Sequence, residues 1–475
     1  MPEKNHKENR RVALNSSFWI ILLTGFSFSG FFIRDYLMAK IYGLGSQLDM
    51  FYLATMLPMF MVTTFCLPFA QSVVPILKKI QLRNKSQFNK EVRNLAYLIL
   101  LYCLFLCCVT YVLSDIIFYL ISHLNGTRRI TNIKFMQITT LPILLFSGLV
   151  ILGNTILSLT ERYVYPALAQ CIVPIFAIIF LLFFGKLLGI YAVILGMIFG
   201  QVSNLVLVNY LLKQEGISLM PLKPNKIFFR SHSVLKGYSF LVVVSIFSSF
   251  IVPINSLIAS SLGEGGVSLY NLGSKLSLFV MGIFSSSFTI VLLPYLTKLA
   301  NYKNPHFLKE ETFYILFASS LFFCLFSFLI FTYAEFISRI IFSYVAIENA
   351  TILGLASVIK YSIIQLPFWI FNTIILKHAN AINKLGIILY TSIIALILNI
   401  ILGTSLAKFM NIGGLALSTT ISLAFSAIII LIYYFSKKRL SFLQAFYIAL
   451  LWFIFGAILV GMNVNPLLLL IGKLI

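Results

Sequence analysis

A few charged residues of this chain lie inside long apolar segments. Arg34, Lys275 and Lys360 are the basic ones that fall deepest within such segments. A charge in a hydrocarbon environment costs about 2.5–3.5 kcal/mol on insertion scales, so each needs a partner, a wet cavity or a function. Acids in comparable positions are few, chiefly Asp35 and Asp49. An excess of buried cations predicts an anionic ligand, with structural ion pairing as the alternative.

Arginine and lysine suit phosphate in different ways. A guanidinium donates two parallel hydrogen bonds, whereas an ammonium group acts as a movable point charge. Arg34, Lys275 and Lys360 would therefore suit a pyrophosphate head group. An inside-negative potential would favour outward movement of such an anion by about 2.3 kcal/mol per charge per 100 mV. Asp35 and Asp49 are candidates for coupling or gating, with sodium or protons as the coupling ion.

The histidines and cysteines show no spacing typical of catalysis or metal binding. The five histidines are scattered, and the six cysteines fall within apolar segments, where a free thiol behaves as a small hydrophobe. The external loops predicted below are too short to present the catalytic side chains of a membrane-embedded glycan polymerase or ligase. The sequence thus favours a transporter over an enzyme, and predicts no catalytic residues, no metal and no cofactor.

Membrane-spanning helices must position these charges. Of the 475 residues, 60% are hydrophobic and 10% are charged, which is typical of a polytopic membrane protein. Because about 20 apolar residues cross a hydrocarbon core of about 30 Å, we predict an all-α fold with about 13 (roughly 12–14) transmembrane helices. The predicted spans lie near 14–41, 47–77, 94–122, 134–158, 164–185, 188–213, 237–262, 268–297, 312–341, 350–376, 385–408, 411–436 and 441–461.

The formal net charge of +22 reflects membrane topology rather than nucleic acid binding. Lysine and arginine concentrate in the N-terminal tail and in alternate loops, above all at 78–93 and 213–236. Short cytoplasmic loops retain basic residues, so the N-terminus is predicted to be cytoplasmic. The lipid bilayer is the expected partner, and no nucleic acid partner is expected.

An internal repeat relates the two halves of the chain. Residues 39–79 recur at 259–298, and the matching pairs are Gly43 with Gly263, Gly45 with Gly265, Pro75 with Pro294 and Lys79 with Lys298. Because six spans separate the copies, both halves enter the membrane in the same direction, as parallel repeats. We predict two pseudo-symmetric six-helix lobes around a central cavity. The lobes are 1–213 and 237–436, joined by a basic cytoplasmic linker at 214–236 and followed at 437–475 by an additional helix and a short apolar remnant.

The first two predicted spans carry a specific order of residues: Arg34-Asp35, Gly43, Gly45, Asp49, Phe51, Leu57-Pro58 and Val74-Pro75. This order and spacing resemble those of the MurJ/MviN lipid II flippases, part of the multidrug/oligosaccharidyl-lipid/polysaccharide exporter superfamily. The resemblance covers nearly the whole chain. Lys275 stands where that family carries an arginine.

The resemblance implies a central cationic cavity between spans one, two, seven and eight. It also implies alternating access for a polyprenyl-pyrophosphate-linked saccharide in the bacterial cytoplasmic (inner) membrane, for cell-envelope glycan synthesis. Phe28, Val62-Thr63 and Ser274 depart from the family's charged positions, so the expected cargo is lipid II or a related undecaprenyl-pyrophosphate repeat unit. The alternative is a multidrug or cation exporter of the same superfamily, which would require an acidic or aromatic cavity.

Overall fold

The computed structural model describes residues 2–125, 128–160, 162, 164–222, 232–301, 305–342, 348–381, 386–437 and 440–462. Within these ranges only the backbone is described for 2–17, 116–125, 128–132, 232–236, 285–301, 305–309 and 377–381. The described residues form sixteen α-helices and one π-helical turn, with no strand among them. They divide into two compact units, Met1–Ser268 and Leu269–Ile475.

The first unit contains ten complete helices and the first turn of the eleventh. The helices are α1 (Pro2–Tyr42), α2 (Ser46–Met61), α3 (Leu67–Arg83), α4 (Lys85–Asn125), α5 (Arg128–Leu159), α6 (Val164–Gln170), α7 (Ile172–Leu188), α8 (Tyr191–Gln214), α9 (His232–Ser249) and α10 (Ile251–Ser261). A π-helical turn, Val62–Cys66, connects α2 to α3 without a break. Phe88, Leu95, Ile99 and Leu144 lie at the centre of this unit's apolar core.

The second unit contains the remaining helices. These are α11 (Gly266–Asn301), α12 (Pro305–Phe342), α13 (Asn349–Ile363), α14 (Leu366–Ala381), α15 (Gly386–Ser436) and α16 (Phe442–Met462). Its apolar core includes Phe323, Phe371 and Trp452, and the rings of the last two are 4.9 Å apart, edge to face. The boundary after Ser268 lies beyond the predicted linker at 214–236. The division into two six-helix lobes joined by that linker stays a prediction.

Twelve helical segments of the described chain are long and apolar enough to cross a membrane. One of them, Gly386–Ser436, has 51 residues and is interrupted at Asn411, where φ is 50° and ψ is −137°. At 1.5 Å per residue it would extend about 76 Å, more than twice a hydrocarbon core of about 30 Å. It therefore corresponds to the two spans predicted at 385–408 and 411–436. The predicted all-α membrane fold with about 13 spans is confirmed, and the apolar remnant at 467–475 lies outside the described residues.

Prolines interrupt the hydrogen bonding of several spanning helices, and side chains of neighbouring helices replace the missing donors. Proline has no N–H, so the carbonyl four residues before it loses its helical partner. In a bilayer no water replaces that donor. Three such carbonyls accept a hydroxyl instead: Gln170 before Pro174 from Ser27 at 3.2 Å, Ile363 before Pro367 from Ser327 at 2.9 Å, and Ala54 before Pro58 from Thr140 at 3.4 Å. These hydrogen bonds connect the proline-containing helices to neighbouring helices of the same unit.

Candidate functional site

Asp49, in the first turn of α2, caps the N-terminus of α11. Its Oδ2 accepts a hydrogen bond from the backbone N–H of Gly265 at 2.7 Å. Its Oδ1 accepts two more at 2.7 Å each, from the backbone N–H and the hydroxyl of Ser268. The first N–H groups of a helix have no partner within the helix, and the helix dipole favours a negative charge there. The buried carboxylate of Asp49 is therefore fully engaged at this position.

A second carboxylate, on the segment before α11, caps the start of α2. Glu264 Oε1 accepts a hydrogen bond from the backbone N–H of Ser46, the first residue of α2, at 3.2 Å. The two loops approach closely at Gly265, whose φ is +83° and where a Cβ would lie 2.6 Å from the Leu44 carbonyl oxygen. Only glycine fits this position. We refer to Asp49, Ser46, Glu264, Gly265 and Ser268 as the Asp49 clasp.

The Asp49 clasp joins equivalent positions of the internal repeat. The loop before α2 carries Gly43 and Gly45, and the loop before α11 carries Gly263 and Gly265. The helix that follows begins at residue 46 in one copy and 266 in the other, an offset of 220. Each helix start is thus capped by an acid from the other copy. Asp49 was among the residues predicted from the sequence and Glu264 was not, although an acid between the repeated glycines Gly263 and Gly265 was the available signal.

Arg34 and Asp35 form an ion pair within α1. Arg34 Nε and Nη2 both donate to Asp35 Oδ1, at 2.8 and 2.6 Å. The side chains are 6% and 0% exposed, so the pair is removed from solvent. Two opposite charges on adjacent residues neutralise each other and lower the cost of placing them in a spanning helix.

Aromatic side chains and a thioether complete the surroundings of the Arg34 guanidinium. The guanidinium carbon lies 5.2 Å from the ring centroid of Phe31 and 5.7 Å from that of Phe51. Arg34 Nη1 also lies 3.4 Å from the sulfur of Met197 in α8. Cation–π contacts of this kind stabilise a desolvated guanidinium. In this structure Arg34 is a packed structural cation as well as a candidate ligand for an anion.

Lys275 and Lys360 lie at the same height on two packed helices of the second unit. Leu269 of α11 packs on Gly354 of α13, and four residues later Gly273 packs on Val358. Both contacts have an offset of 85, so the helices run parallel and residue 275 is level with residue 360.

The two lysines do not extend toward each other. Each follows the contact at Gly273 and Val358 by two residues, which is a rotation of about 200° around its helix. Both side chains are half-buried. Among the residues that the structure describes, none forms a hydrogen bond or ion pair with Lys360. Eleven residues of α13 at 1.5 Å each place Lys360 about 17 Å from the start of that helix, near the middle of a hydrocarbon core of about 30 Å.

The predicted site residues fall in both units. Arg34, Asp35 and Asp49 belong to the first unit, and Lys275 and Lys360 belong to the second. Within the described chain, no group of three or more His, Cys, Asp and Glu residues has an arrangement that would hold a metal ion. The assignment of all three basic residues to one anion site, and of both acids to coupling or gating, stays a prediction.

Comparison with known proteins identifies the family. The family model described as "Lipid II flippase MurJ" matches residues 38–471, which is most of the chain. The chain belongs to the MurJ lipid II flippase family. Membership confirms the resemblance seen in the sequence, and also the prediction of a transporter rather than an enzyme. As a member, the chain is a multi-pass protein of the bacterial inner membrane.

Two curated relatives come from Buchnera aphidicola, and both are named as a probable lipid II flippase MurJ. The protein of Buchnera aphidicola subsp. Baizongia pistaciae is 26% identical over 413 residues, which cover 82% of this chain and 77% of the relative. The protein of Buchnera aphidicola subsp. Acyrthosiphon pisum is 25% identical over 407 residues, which cover 82% of this chain and 78% of the relative.

Solved structures agree on the fold. A lipid II flippase MurJ in an inward closed conformation superposes with a TM-score of 0.71 at 18% identity, covering 96% of this chain and 100% of that one. A MATE transporter of Vibrio cholerae superposes with a TM-score of 0.67 at 14% identity, covering 90% and 98%. At these identities the likeness establishes a shared fold and leaves the cargo to be argued from the residues.

Proposed function

We propose that this protein flips an undecaprenyl-pyrophosphate-linked saccharide from the cytoplasmic to the outer leaflet by alternating access. The cargo is lipid II or a related polysaccharide repeat unit, used in cell-envelope glycan synthesis. The observation that carries the proposal is the family match over residues 38–471. The names of the two Buchnera relatives agree with it.

The half-buried lysines supply the chemistry that the cargo requires. Lys275 and Lys360 are level with each other in the second unit, and a positive charge inside a spanning helix is costly unless it has a function or compensation. The two lysines do not extend toward each other in this structure, but a lysine ammonium is a movable point charge on a flexible chain, so both could approach the oxygens of one pyrophosphate. Arg34 joins this site in our proposal when a cargo phosphate competes with Asp35 for the guanidinium.

The Asp49 clasp is the proposed gate. With the N-terminus in the cytoplasm, as the distribution of basic residues predicts, the loops before α2 and α11 lie on the outer side. Asp49 joins these loops through three hydrogen bonds of 2.7 Å. Release of cargo outward would require those bonds to open. We assign Asp49 to gating and retain Asp35 as the candidate for coupling to sodium or protons.

Complementation tests the proposal. A bacterium depleted of its essential lipid II flippase would receive the wild-type gene, Lys275→Gln, Lys360→Gln or the control Lys408→Gln. Lys408 is an exposed lysine of the second unit, so its replacement removes the same charge without touching the proposed site. We expect growth with wild type and control. We expect loss of growth with the two site variants, at equal membrane levels measured by blot.

The alternative function makes the opposite electrostatic demand. A multidrug or cation exporter would tolerate or benefit from the loss of Lys275 and Lys360, because a cationic cargo is repelled by lysine. Equal growth with Lys360→Gln and Lys408→Gln would contradict the anion site. Failure of the wild type despite good membrane expression would indicate a different polyprenyl-linked glycan, and drug resistance conferred by the wild type would favour the exporter.

A further inference from the structure

A cavity of about 310 Å³ lies within the first unit, and none of the predicted site residues lines it. It sits where α3, α5 and α8 end and where α4 begins. Its apolar floor is formed by Phe88, Leu159 and Ile217, which are buried. Its volume falls at the lower end of the range for small-molecule sites, about 300–1,000 Å³. The proposed function gives this cavity no role.

The polar lining of the cavity favours an anion. Lys78 and Lys85 lie on its wall, together with Gln81 and the acid Glu215. Arg162 neutralises Glu215 through an ion pair of 3.0 Å, so the two lysines determine the local charge. Lys78 Nζ donates one hydrogen bond to the Leu159 carbonyl at 3.2 Å, which leaves its other N–H groups available.

The side of the cavity formed after α8 is held in place by hydrogen bonds. The backbone N–H of Ser218 donates to Asn89 Oδ1 at 3.0 Å, and Arg93 Nε donates to the Met220 carbonyl at 3.1 Å. Asn89 and Arg93 belong to α4, and Ser218 and Met220 belong to the segment that follows α8. Ile217 and Glu215 are therefore positioned against α4 before any ligand arrives.

The N-terminus of α4 is already capped. Asn84 Oδ1 accepts hydrogen bonds from the backbone N–H groups of Ser86 and Gln87, at 2.9 and 3.2 Å. An anion in the cavity would therefore bind to side chains rather than to free backbone N–H groups. Gln81 adds a further group, because its buried Oε1 has no hydrogen-bond partner within the described chain. A ligand that carries a hydroxyl group would satisfy that acceptor.

We propose that this cavity binds a phosphate group that carries a hydroxyl-bearing substituent, with Lys78 and Lys85 as its ligands. The site lies where the spanning segments Ser46–Arg83 and Lys85–Asp115 meet, and the ends of spanning segments are where phospholipid head groups are expected. Basic pockets at this level recognise anionic lipids. The same chemistry could be supplied by an anionic phospholipid such as phosphatidylglycerol or by a free phosphate compound from solution.

Native mass spectrometry of the intact, detergent-purified protein distinguishes the two sources. Phosphatidylglycerol, phosphatidylcholine and inorganic phosphate would be titrated separately, and phosphate would also be tested as a competitor of the lipid. The variants are Lys78→Gln and Lys85→Gln, with Lys79→Gln and Lys90→Gln as controls. Each control removes a nearby exposed lysine that does not line the cavity. Lys85 is itself exposed, so its replacement leaves the fold intact.

We expect saturable binding of phosphatidylglycerol that weakens about tenfold in Lys78→Gln and in Lys85→Gln, and less than about twofold in the controls. Glu215→Gln should strengthen binding, because it removes the acid and releases the charge of Arg162. A loss of structure would not produce that gain. Binding of phosphate without lipid, with the same variant pattern, would support the site and assign it to a soluble ligand.

Two results would overturn the inference. Equal weakening in all four lysine variants would show that the lipid responds to the general basic surface rather than to the cavity. Absence of saturable binding by both phosphatidylglycerol and phosphate would show that the cavity holds no phosphate group. Neither result bears on the complementation experiment, which depends on Lys275 and Lys360.

Discussion

Arg34 in α1 and Lys360 in α13 are both cations within spanning helices, and their surroundings differ sharply. The side chain of Arg34 is 6% exposed, is paired with Asp35 and lies near the rings of Phe31 and Phe51. Lys360 is half-buried, and none of the described residues forms an ion pair with it. A buried charge that is neutralised by a partner destabilises the fold when that partner is removed, whereas a charge without a partner must be compensated by solvent or ligand.

This contrast separates two roles that look alike in the sequence. Loss of Arg34 should act first on stability, and loss of Lys360 should act first on transport. Asp49 resembles Arg34 because its charge is compensated by polar partners, here three hydrogen-bond donors. The Asp49 clasp, however, joins two segments that are distant in the chain rather than adjacent residues.

The largest effect is expected from Arg34→Ala. It leaves the Asp35 carboxylate, which is 0% exposed, without its cationic partner, and breaking a buried pair in this way costs about 3–5 kcal/mol. The free energy of unfolding of the purified protein, measured in detergent by chemical denaturation, should fall by that amount. Combining Arg34→Ala with Asp35→Asn should recover much of the loss.

Lys360→Gln is the matched control for that measurement. Its unfolding free energy should not fall more than about 0.5 kcal/mol below that of wild type, because no described residue depends on its charge. If Arg34→Ala proved as stable as wild type, or Lys360→Gln as unstable as Arg34→Ala, the contrast between the two cations would be wrong.

A smaller effect is expected from Asp49→Ala, which removes the cap of α11. Loss of a helix cap costs about 0.5–2 kcal/mol. Hydrogen–deuterium exchange at the amides of Gly265 and Ser268 should accelerate by about 5–30-fold, as 1–2 kcal/mol implies. Glu264→Gln should change exchange less, because the hydrogen bond that Glu264 accepts from Ser46 is exposed and is longer, at 3.2 Å. Unchanged exchange in Asp49→Ala would remove the basis for the proposed gate.

The smallest effect is expected when a serine hydroxyl is removed that donates to a carbonyl left without its helical N–H partner by a proline. Ser27→Ala and Ser327→Ala each remove one hydrogen bond, and each should lower the unfolding free energy by about 0.5–1.5 kcal/mol. Ser248→Ala is the control, because that exposed hydroxyl bonds only within its own helix. Losses no larger than the control's would show that the membrane-spanning backbone tolerates these freed carbonyls.

Much of the fold was predictable from composition and pattern. The spans followed from apolar length, and the break of α15 near Asn411 agrees with two separate predicted spans. The repeat predicted equivalent helix starts at residues 46 and 266, and both occur. These features depend on local sequence, because a segment's apolar length and its glycines act within a few turns of the chain.

The candidate site was predictable only in its residue types. Asp49 was chosen as an acid near a helix start, but its three donors come from residues more than 200 positions later in the chain. The equal height of Lys275 and Lys360 depends on the packing of Gly273 against Val358. No pattern within either helix contains that register.

The sequence by itself determined that this is a polytopic membrane protein with an internal repeat, and that its first two spans carry a family relationship. It also determined which charged residues raise the free energy of membrane insertion, because the apolar segments that contain them can be read from hydropathy. Only the tertiary structure decided that Arg34 is paired within a sealed environment and that Asp49 and Glu264 cap each other's helices. Ion pairs and hydrogen bonds act over a few ångströms, so helix register and packing select the partners.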